Sequence, residues 1–518
     1  MRVLNVVSAM VRSQRMQPWR NGLLVLSAAL AASALAAAAP DPCATLLADN
    51  LRPSVLPQQA ALPRWSLQQR MAEHRVPGVA VAVIRDGRLA HACGYGLRTA
   101  GVSTQVVDAD TLFSVGSVSK VIAAAATLRD VAAGRLALDH SVNDYLTSWK
   151  IPTSDGFDPA TVNLRMLMSH TAGMTVWGFA DYQPGEPLPT LRQTLDGASP
   201  AKNAPIRLEA TPGSRMRYSG GGVTVEQQVL QDVHRSDFET IARRLVFAPI
   251  GMSRSTFTNP LPANTANVAH AHDKDGNPVA LPTGWETFPE QAASGLWTNA
   301  HELGSFVAAL LSAHAGRGTF LPQPLMVQML TEVAPSQHGL GPRLEGEGLT
   351  RVFHHGGSND SYRAWMEGYP ASGDGFVILT NAANGGALAA EIRNALTDAI
   401  GNGSNPLLRT QPLPATTLAE FAGSYQLQDD IPIEISGNLF GYFDHPNLQV
   451  SASADGITLS DADRKRALLP ISPSRFVNPL GDTSQPRYEF LRDGHGRVHA
   501  LRVQRDGGQL YFRRQPAG

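Results

Sequence analysis

Two apolar runs near residue 80 have the length and spacing of a β-hairpin. Residues 78–84 and 89–95 are mostly apolar and flank a turn that contains Asp86 and Gly87, a pair that favours two-residue hairpin turns. Residues 121–128 form a later apolar run without charge, which is typical of a helix buried on nearly every side. The pattern therefore predicts a strand pair and then a core helix.

Later segments predict further helices and strands. Residues 163–170 have a helical pattern, residues 363–366 and 376–380 are strand-like, and residues 387–400 are again helical. Strands at both ends of a domain with helices between them predict one sheet assembled from the two ends. The expected fold class is therefore mixed α/β, with an antiparallel sheet flanked by helices.

The pattern changes after residue 417, where short alternating runs are separated by tight turns. Evenly spaced strands of this kind are typical of a small antiparallel barrel or sandwich. The Gly- and Pro-rich residues 401–406 and 411–414 before them are typical of a domain linker. The strand-like runs are residues 431–435, 456–459, 487–490, 498–503 and 509–512.

The first 39 residues differ from the rest of the chain. Four arginines precede an apolar run at 23–30, and an alanine-rich stretch follows it. These are the parts of a secretory signal peptide. The apolar run is short for a membrane span, although an uncleaved anchor is an alternative. We expect a signal peptide at 1–39, with Met16 as an alternative start to Met1.

Length, charge and cysteine content narrow the class of protein. The chain of 518 residues is too long for one core, and we expect domains at 40–403 and 417–518 joined by a linker at 404–416. With 43 Lys and Arg against 44 Asp and Glu and no basic block, a nucleic-acid partner is not expected. Cys43 and Cys93 form either a disulfide or two buried thiols, and the sequence leaves both open.

Ser117 and Lys120 are the strongest candidates for chemistry. They lie three residues apart at the predicted start of the core helix, so the amine can take the proton of the hydroxyl. A buried lysine, unlike an arginine, can lose its own proton. The alternative is an ordinary helix start with a serine cap. Ser199 and Lys202 have the same spacing in a Pro- and Gly-rich loop, so spacing alone predicts nothing.

Other hydrolase and cofactor signatures are missing from the sequence. There is no Gly-x-Ser-x-Gly pattern, and His301 with Glu302 lacks a second histidine at metalloprotease spacing. His270 and His272 lie in a polar loop without a further metal ligand. We therefore expect no metal and no cofactor.

Residues 113–120 resemble the nucleophile motif of the serine β-lactamase and penicillin-binding-protein superfamily, in its class C β-lactamase and esterase branch. Further matches follow in the same order and extend the resemblance over residues 67–400. It implies an antiparallel sheet combined with an all-helical subdomain. The other matching segments are residues 167–173 (Leu-Leu-x-His-Thr-Ser-Gly in the family), 211–219 (Tyr-x-Asn), 294–297 and 354–358 (Lys/His-x-Gly).

The resemblance implies roles for the matching residues. Ser117 would be the nucleophile, Lys120 its base, and Tyr218 a partner that shares the base role and returns the proton to the leaving group. The N–H groups of Ser117 and Ser358, with Gly357 beside them, would hold the oxyanion.

Two positions depart from the commonest family pattern. His355 stands where β-lactamases mostly carry lysine, and it would contact a substrate carboxylate or relay a proton. Gly220 stands where the family's asparagine amide contacts the lysine or the substrate amide. Both departures point away from a dedicated β-lactamase.

The resemblance implies a serine hydrolase, and the predicted signal peptide implies that it is exported, periplasmic or secreted. It would cleave amides or esters of small peptides or D-amino-acid-containing substrates through an acyl-enzyme on Ser117. The alternatives are a β-lactamase or broad carboxylesterase, and a penicillin-binding sensor or scaffold without turnover. The C-terminal domain resembles the lipocalin-like domain of some relatives, which allows a homo-oligomer through it. We expect a small-molecule or peptide substrate as partner, and no stable membrane span after signal cleavage.

Overall fold

The computed structural model describes residues 43–154, 156–334, 336–401, 405–428, 446–461, 464–479, 486–505 and 508–516. The predicted signal peptide, the alternative membrane anchor and the strand-like run at 431–435 lie outside the described residues. Among the residues that are described, no helix is both long and apolar enough to cross a membrane.

The part of the chain before the linker contains nine strands and thirteen α-helices among its described residues. The strands are β1 (Val55–Pro57), β2 (Gly78–Arg85), β3 (Arg88–Gly96), β4 (Phe113–Ser114), β5 (Trp297–Thr298), β6 (Arg343–Glu345), β7 (Val352–Ser358), β8 (Arg363–Tyr369) and β9 (Asp374–Thr380). The helices are α1 (Ala44–Leu47), α2 (Leu67–Glu73), α3 (Ser119–Ala132), α4 (Val142–Tyr145), α5 (Leu164–Met168), α6 (Leu191–Asp196), α7 (Gly220–His234), α8 (Phe238–Ala242), α9 (Ala248–Ile250), α10 (Gln291–Ser294), α11 (Ala300–His314), α12 (Gln323–Met329) and α13 (Gly385–Ile400).

Six of these strands form one antiparallel sheet in the order β3-β2-β9-β8-β7-β6. Strands β2 and β3 are the predicted hairpin, and both turn residues, Asp86 and Gly87, have positive φ angles of 48° and 70°. Strand β2 pairs with β9, so the two ends of the domain meet in the middle of the sheet. This confirms the prediction of a sheet assembled from the two ends of the domain.

Alternate residues of β2 face two different cores, because side chains of a strand point to opposite faces. Val79, Val81 and Val83 belong to the core that includes Leu388 and Ile392 of α13. The alternate residues Ala80, Ala82 and Ile84 belong to the larger core that includes α11 and α3. Since both faces are covered, nearly every residue of β2 is buried.

Helix α3 lies inside the larger core, as its uncharged sequence predicts. All residues from Ser119 to Leu128 are buried, and the helix packs against α7 and α10. Its one buried carboxylate, Asp130, is paired with His234 at 2.5 Å and Arg135 at 2.7 Å. A buried charge needs such partners, so the helix is anchored at the end opposite to Ser117.

The C-terminal strands close into an eight-stranded antiparallel barrel, which confirms the barrel alternative. Aromatic side chains such as Phe476 and Tyr488 fill its interior core. Part of the predicted linker at 404–416 is itself a strand, β10 (Leu408–Thr410), which pairs in parallel with β1. The remaining elements are α14 (Ala415–Glu420), β11 (Gly423–Leu427), β12 (Asn447–Ala452), β13 (Ile457–Asp461), β14 (Arg464–Pro470), β15 (Arg475–Val477), β16 (Arg487–Arg492), β17 (Val498–Arg505) and β18 (Gly508–Arg514).

Cys43 and Cys93 form a disulfide, which decides the alternative that the sequence left open. The bond joins the segment before β1 to strand β3 across 50 residues of chain. A cross-link of this kind stabilises the fold mainly by restricting the unfolded chain.

Candidate active site

Ser117 lies in a single tight helical turn, Gly116–Val118, that leads directly into α3. Gly116 has a φ of 49°, and a Cβ there would lie 2.8 Å from the amide nitrogen of Ser358. Glycine is therefore required at 116 for both its backbone conformation and its close approach to β7. The turn is fixed further by Ser119, whose hydroxyl donates to the Gly116 carbonyl at 2.6 Å and accepts from the Leu296 amide at 3.0 Å.

Lys120 is buried, and its amine is directed at the serine. The Nζ atom lies 3.0 Å from Ser117 Oγ and 2.6 Å from the carbonyl oxygen of Ala293. Burial lowers the pKa of Lys120; the phenol of Tyr218 raises it in part, and the charge of Arg343 lowers it further. A neutral amine in this position can accept the serine proton.

Tyr218 lines the same cavity as Lys120 and lies beside its amine. Its ring centre lies 5.1 Å from Lys120 Nζ, and the next residue, Ser219, caps α7. The rings of His170 and Trp177 are 4.3 Å and 5.7 Å away, centre to centre. Tyr218 therefore packs against two aromatic rings, and its own ring lies close to the amine.

His355 lies on β7 and is buried. Its Nδ1 atom is 2.7 Å from the carbonyl oxygen of Gly356, and since a carbonyl only accepts, Nδ1 carries the proton. Burial lowers the pKa of His355 well below its usual value, and the charges of Arg343 and Lys120 add to this. The ring is therefore neutral, and its Nε2 atom is an acceptor that meets no hydrogen-bond partner among the described residues.

Two further histidines complete the surroundings of Tyr218. His170 has a φ of 60° and accepts the Ser219 amide proton on Nδ1 at 3.2 Å. His338 lies 6.4 Å from the Tyr218 ring and 5.0 Å from the His170 ring, centre to centre. Burial lowers the pKa of both well below the usual value, so neither adds charge at neutral pH.

The backbone of Gly357 and Ser358 lies against the amide of Ser117. A Cβ at Gly357 would overlap the Val115 carbonyl oxygen and lie 3.3 Å from the Ser117 nitrogen. Only glycine permits this approach. The two N–H groups that the sequence predicts for the oxyanion hole therefore belong to backbone segments in direct contact.

All six residues predicted for the site line one cavity of about 320 Å³. The sequence pattern did not single out Arg343 or the aromatic residues Trp177, Phe179 and Trp365, which line it too. Arg343 Cζ lies 5.4 Å from the Tyr218 ring centre. The only available sequence signal for Trp177 and Phe179 was their position between two family-like segments. The predicted residues in the cavity are Ser117, Lys120, Tyr218, His355, Gly357 and Ser358.

The second Ser-x-x-Lys pair is not arranged for proton transfer. Lys202 Nζ binds Glu186 at 2.7 Å and the Asp181 carbonyl at 2.8 Å, and Ser199 lies in a turn outside any helix. The prediction that this pair belongs to a loop is confirmed. It provides a natural control for the pair in the cavity.

The sequence around this site is similar to a known protein family and to several characterised proteins. The sequence profile of the family described as "Beta-lactamase" matches residues 66–399. Penicillin-binding protein 4 from Amycolatopsis lactamdurans is 29% identical over 222 residues, 42% of this chain and 55% of that protein. Esterase EstB from Burkholderia gladioli is 30% identical over 232 residues, 42% of this chain and 56% of that protein. The chain thus spans about half the length of these relatives.

A solved structure shares the fold of this chain over more residues than the family profile matches. The octameric penicillin-binding protein homologue from Pyrococcus abyssi superposes with a TM-score of 0.54 at 19% identity. The match covers 86% of this chain and 98% of that one, so it extends past residues 66–399.

Proposed function

Because the chain belongs to the beta-lactamase family of hydrolases, we propose that it is a serine hydrolase that works through an acyl-enzyme on Ser117. One observation carries the proposal: a buried lysine amine lies 3.0 Å from the serine hydroxyl at the start of a core helix. This is the geometry that proton transfer from a nucleophile to its base needs.

In the proposed reaction, Ser117 Oγ attacks the substrate carbonyl carbon while its proton passes to neutral Lys120. The oxyanion accepts hydrogen bonds from the N–H groups of Ser117 and Ser358. As the tetrahedral intermediate collapses, the scissile bond breaks and the leaving alcohol or amine takes a proton from Lys120 by way of Tyr218. Water then attacks the carbonyl carbon of the ester on Ser117 and gives up a proton to the same pair, which passes a proton to Ser117 Oγ as the bond between the acyl carbon and Oγ breaks. The products are a carboxylic acid and the free alcohol or amine.

The charge of Arg343 supports the base role of Lys120. A neighbouring positive charge disfavours the protonated amine, so it keeps more of Lys120 neutral at a given pH. We expect Arg343→Met to raise the pKa of Lys120 and to move the acidic limb of the kcat/KM–pH profile to higher pH. Arg343→Lys keeps the charge and is expected to stay close to the wild-type limb.

The Arg343 prediction is checked by kcat/KM for a simple ester measured from pH 5 to 9 in all three proteins. A purely structural role would lower activity at every pH without moving the limb. Superimposable normalised profiles for wild type and Arg343→Met would contradict the electrostatic role.

The protonation state of His355 limits which substrate groups the ring can bind. A neutral ring with Nδ1–H bound to Gly356 leaves Nε2 as a buried acceptor in a residue that lines the cavity. An acceptor suits a substrate N–H group, whereas a carboxylate needs a donor. The sequence predicts two roles for His355, contact with a substrate carboxylate or relay of a proton, and a neutral ring supports the relay over the carboxylate contact.

We further propose that the substrates are amides or esters of small peptides or D-amino-acid-containing compounds, and that the enzyme works outside the cytoplasm. The disulfide supports the second point, since such bonds persist in oxidising compartments. We also propose two domains, at 40–403 and 417–518, joined by a linker at 404–416. The protein would form a homo-oligomer through the C-terminal barrel.

The proposal is tested by following a covalent adduct over time. Wild-type protein is labelled with a fluorescent fluorophosphonate or penicillin, and intact mass is recorded during a chase with unlabelled reagent. We expect both reagents to add to Ser117 and the penicilloyl group to be released by water. A permanent penicilloyl adduct together with no turnover of nitrocefin, simple esters or D-aminoacyl amides would favour the sensor alternative.

A further inference from the structure

We propose that the cavity binds a substrate with an aromatic or bulky apolar group beside the scissile bond, seated on Trp177 and Phe179. The inference rests on the proposed function, because it concerns substrate choice in the same cavity. Its basis is the cavity wall beside Gly220. Gly220 stands where the family has an asparagine, and the aromatic segment, residues 175–182, occupies the space of the missing amide side chain.

The wall is built around Gly220. A Cβ at this position would lie 2.9 Å from Cε2 of Phe179 and 3.3 Å from the Trp177 carbonyl oxygen. An asparagine at 220 could not enter without moving the Phe179 ring. The side of the cavity next to Tyr218 and Lys120 is therefore lined by an aromatic ring where a polar amide would otherwise point.

Trp177 extends this apolar surface to the mouth of the cavity. Its side chain is 64% exposed, whereas the other described cavity tryptophan, Trp365, is 5% exposed. A large exposed apolar side chain at the rim of a concave site is a frequent mark of ligand contact. Its ring centre lies 5.7 Å from that of Tyr218, so a group resting on it lies close to the reacting atoms.

The N-terminal end of the aromatic segment is hydrogen-bonded to the start of α7, which follows Tyr218. The amides of Gly220 and Gly221 donate to the carbonyls of Trp177 and Val176 at 3.1 Å and 3.0 Å. The Ser219 hydroxyl donates to the Thr175 carbonyl at 2.7 Å. Val176 has a φ of 64°, a conformation that a β-branched residue adopts only when its surroundings enforce it. That turn directs Trp177 and Phe179 toward the cavity.

The other end of the segment is also held. Asp181 accepts the Asp360 amide proton at 2.7 Å, and Tyr182 exchanges two backbone hydrogen bonds with Thr287 at 3.0 Å and 2.8 Å. A wall fixed at both ends loses little conformational entropy when a ligand binds. The apolar surface is thus preformed.

The inference is tested with three pairs of substrates. N-acetyl-phenylalanine and N-acetyl-alanine methyl esters, each as D and L forms, place the ring in the acyl part. Benzyl and ethyl acetate place it in the leaving part. We expect kcat/KM to favour the ring-bearing member of at least one pair by about tenfold or more, the range that a single apolar contact provides. We expect Trp177→Ala and Phe179→Leu to reduce that ratio severalfold, mainly through KM.

Leu349→Ala is the matched control, because Leu349 is 80% exposed and lies outside the cavity lining. It is expected to leave the ratio unchanged. No preference in wild type, or a preference that both cavity variants retain, would overturn the proposal. Because Trp177 is exposed, the Trp177→Ala protein is expected to fold normally.

A binding measurement separates this inference from the proposed reaction. In the Ser117→Ala protein, calorimetry compares N-acetyl-phenylalaninamide with N-acetyl-alaninamide, and benzyl acetate with ethyl acetate. At least one ring-bearing ligand is expected to bind at least about tenfold more tightly than its partner. Equal binding would overturn the apolar site even if hydrolysis occurs. Selective binding without any wild-type turnover would support the site and refute the hydrolase.

Discussion

Ser117→Ala is expected to lower kcat for every ester or amide substrate by at least about 10⁴-fold, because removal of the nucleophile from a catalytic unit leaves only binding and oxyanion stabilisation. The side chain is small and lies at the cavity, so the fold is expected to persist. The measurement is kcat by product release, together with intact mass after treatment with a fluorophosphonate. No adduct should form on the variant.

Ser199→Ala is the matched control for this prediction. It removes the serine of the second Ser-x-x-Lys pair, which lies in a turn away from the cavity lining, and we expect wild-type rates. Retention of ester hydrolysis by Ser117→Ala at a rate comparable to wild type would refute the assignment of the nucleophile.

Lys120→Arg is expected to reduce kcat by about 10³-fold, since arginine keeps the positive charge but cannot give up a proton at accessible pH. The amine also donates to the Ala293 carbonyl at 2.6 Å, and the side chain is buried. A guanidinium is larger, so part of the loss will come from displacement of Ser117. Measuring kcat up to pH 10 tests the chemistry, because the variant should not recover activity at high pH.

Lys202→Arg provides the control with the same substitution in the loop pair. Its amine is bound to Glu186 on the surface, so kcat should stay at the wild-type level. If Lys120→Arg is as active as wild type, lysine is not the base and the proton must leave Ser117 by another route.

Local sequence determined much of the sheet and the core helix. Asp86 and Gly87 adopt the backbone angles that a two-residue hairpin turn requires, and the uncharged run after Lys120 forms a helix with no exposed face. These features depend on neighbours in sequence, so a pattern of apolar positions was sufficient. The linker was different, because pairing of β10 with β1 depends on a segment about 350 residues earlier.

Other features of the site arise from contacts between distant segments. Arg343 on β6 and His338 before it carry no local pattern, yet they surround Tyr218. The pairing of Cys43 with Cys93 likewise required the position of β3 relative to the N-terminal segment. Charge interactions and disulfide formation depend on distances in space. These distances cannot be inferred from the separation of residues along the sequence.

The sequence by itself determined a strand-rich chain with a buried helix that starts at Ser117 and Lys120, since apolar periodicity encodes which faces are buried. The tertiary structure decided that the amine is 3.0 Å from the hydroxyl, that His355 presents an acceptor, and that Phe179 occupies the space beside Gly220. The reason is physical: reaction type follows from which groups are present, whereas substrate choice follows from the shape and charge of the cavity, which only the packed fold defines.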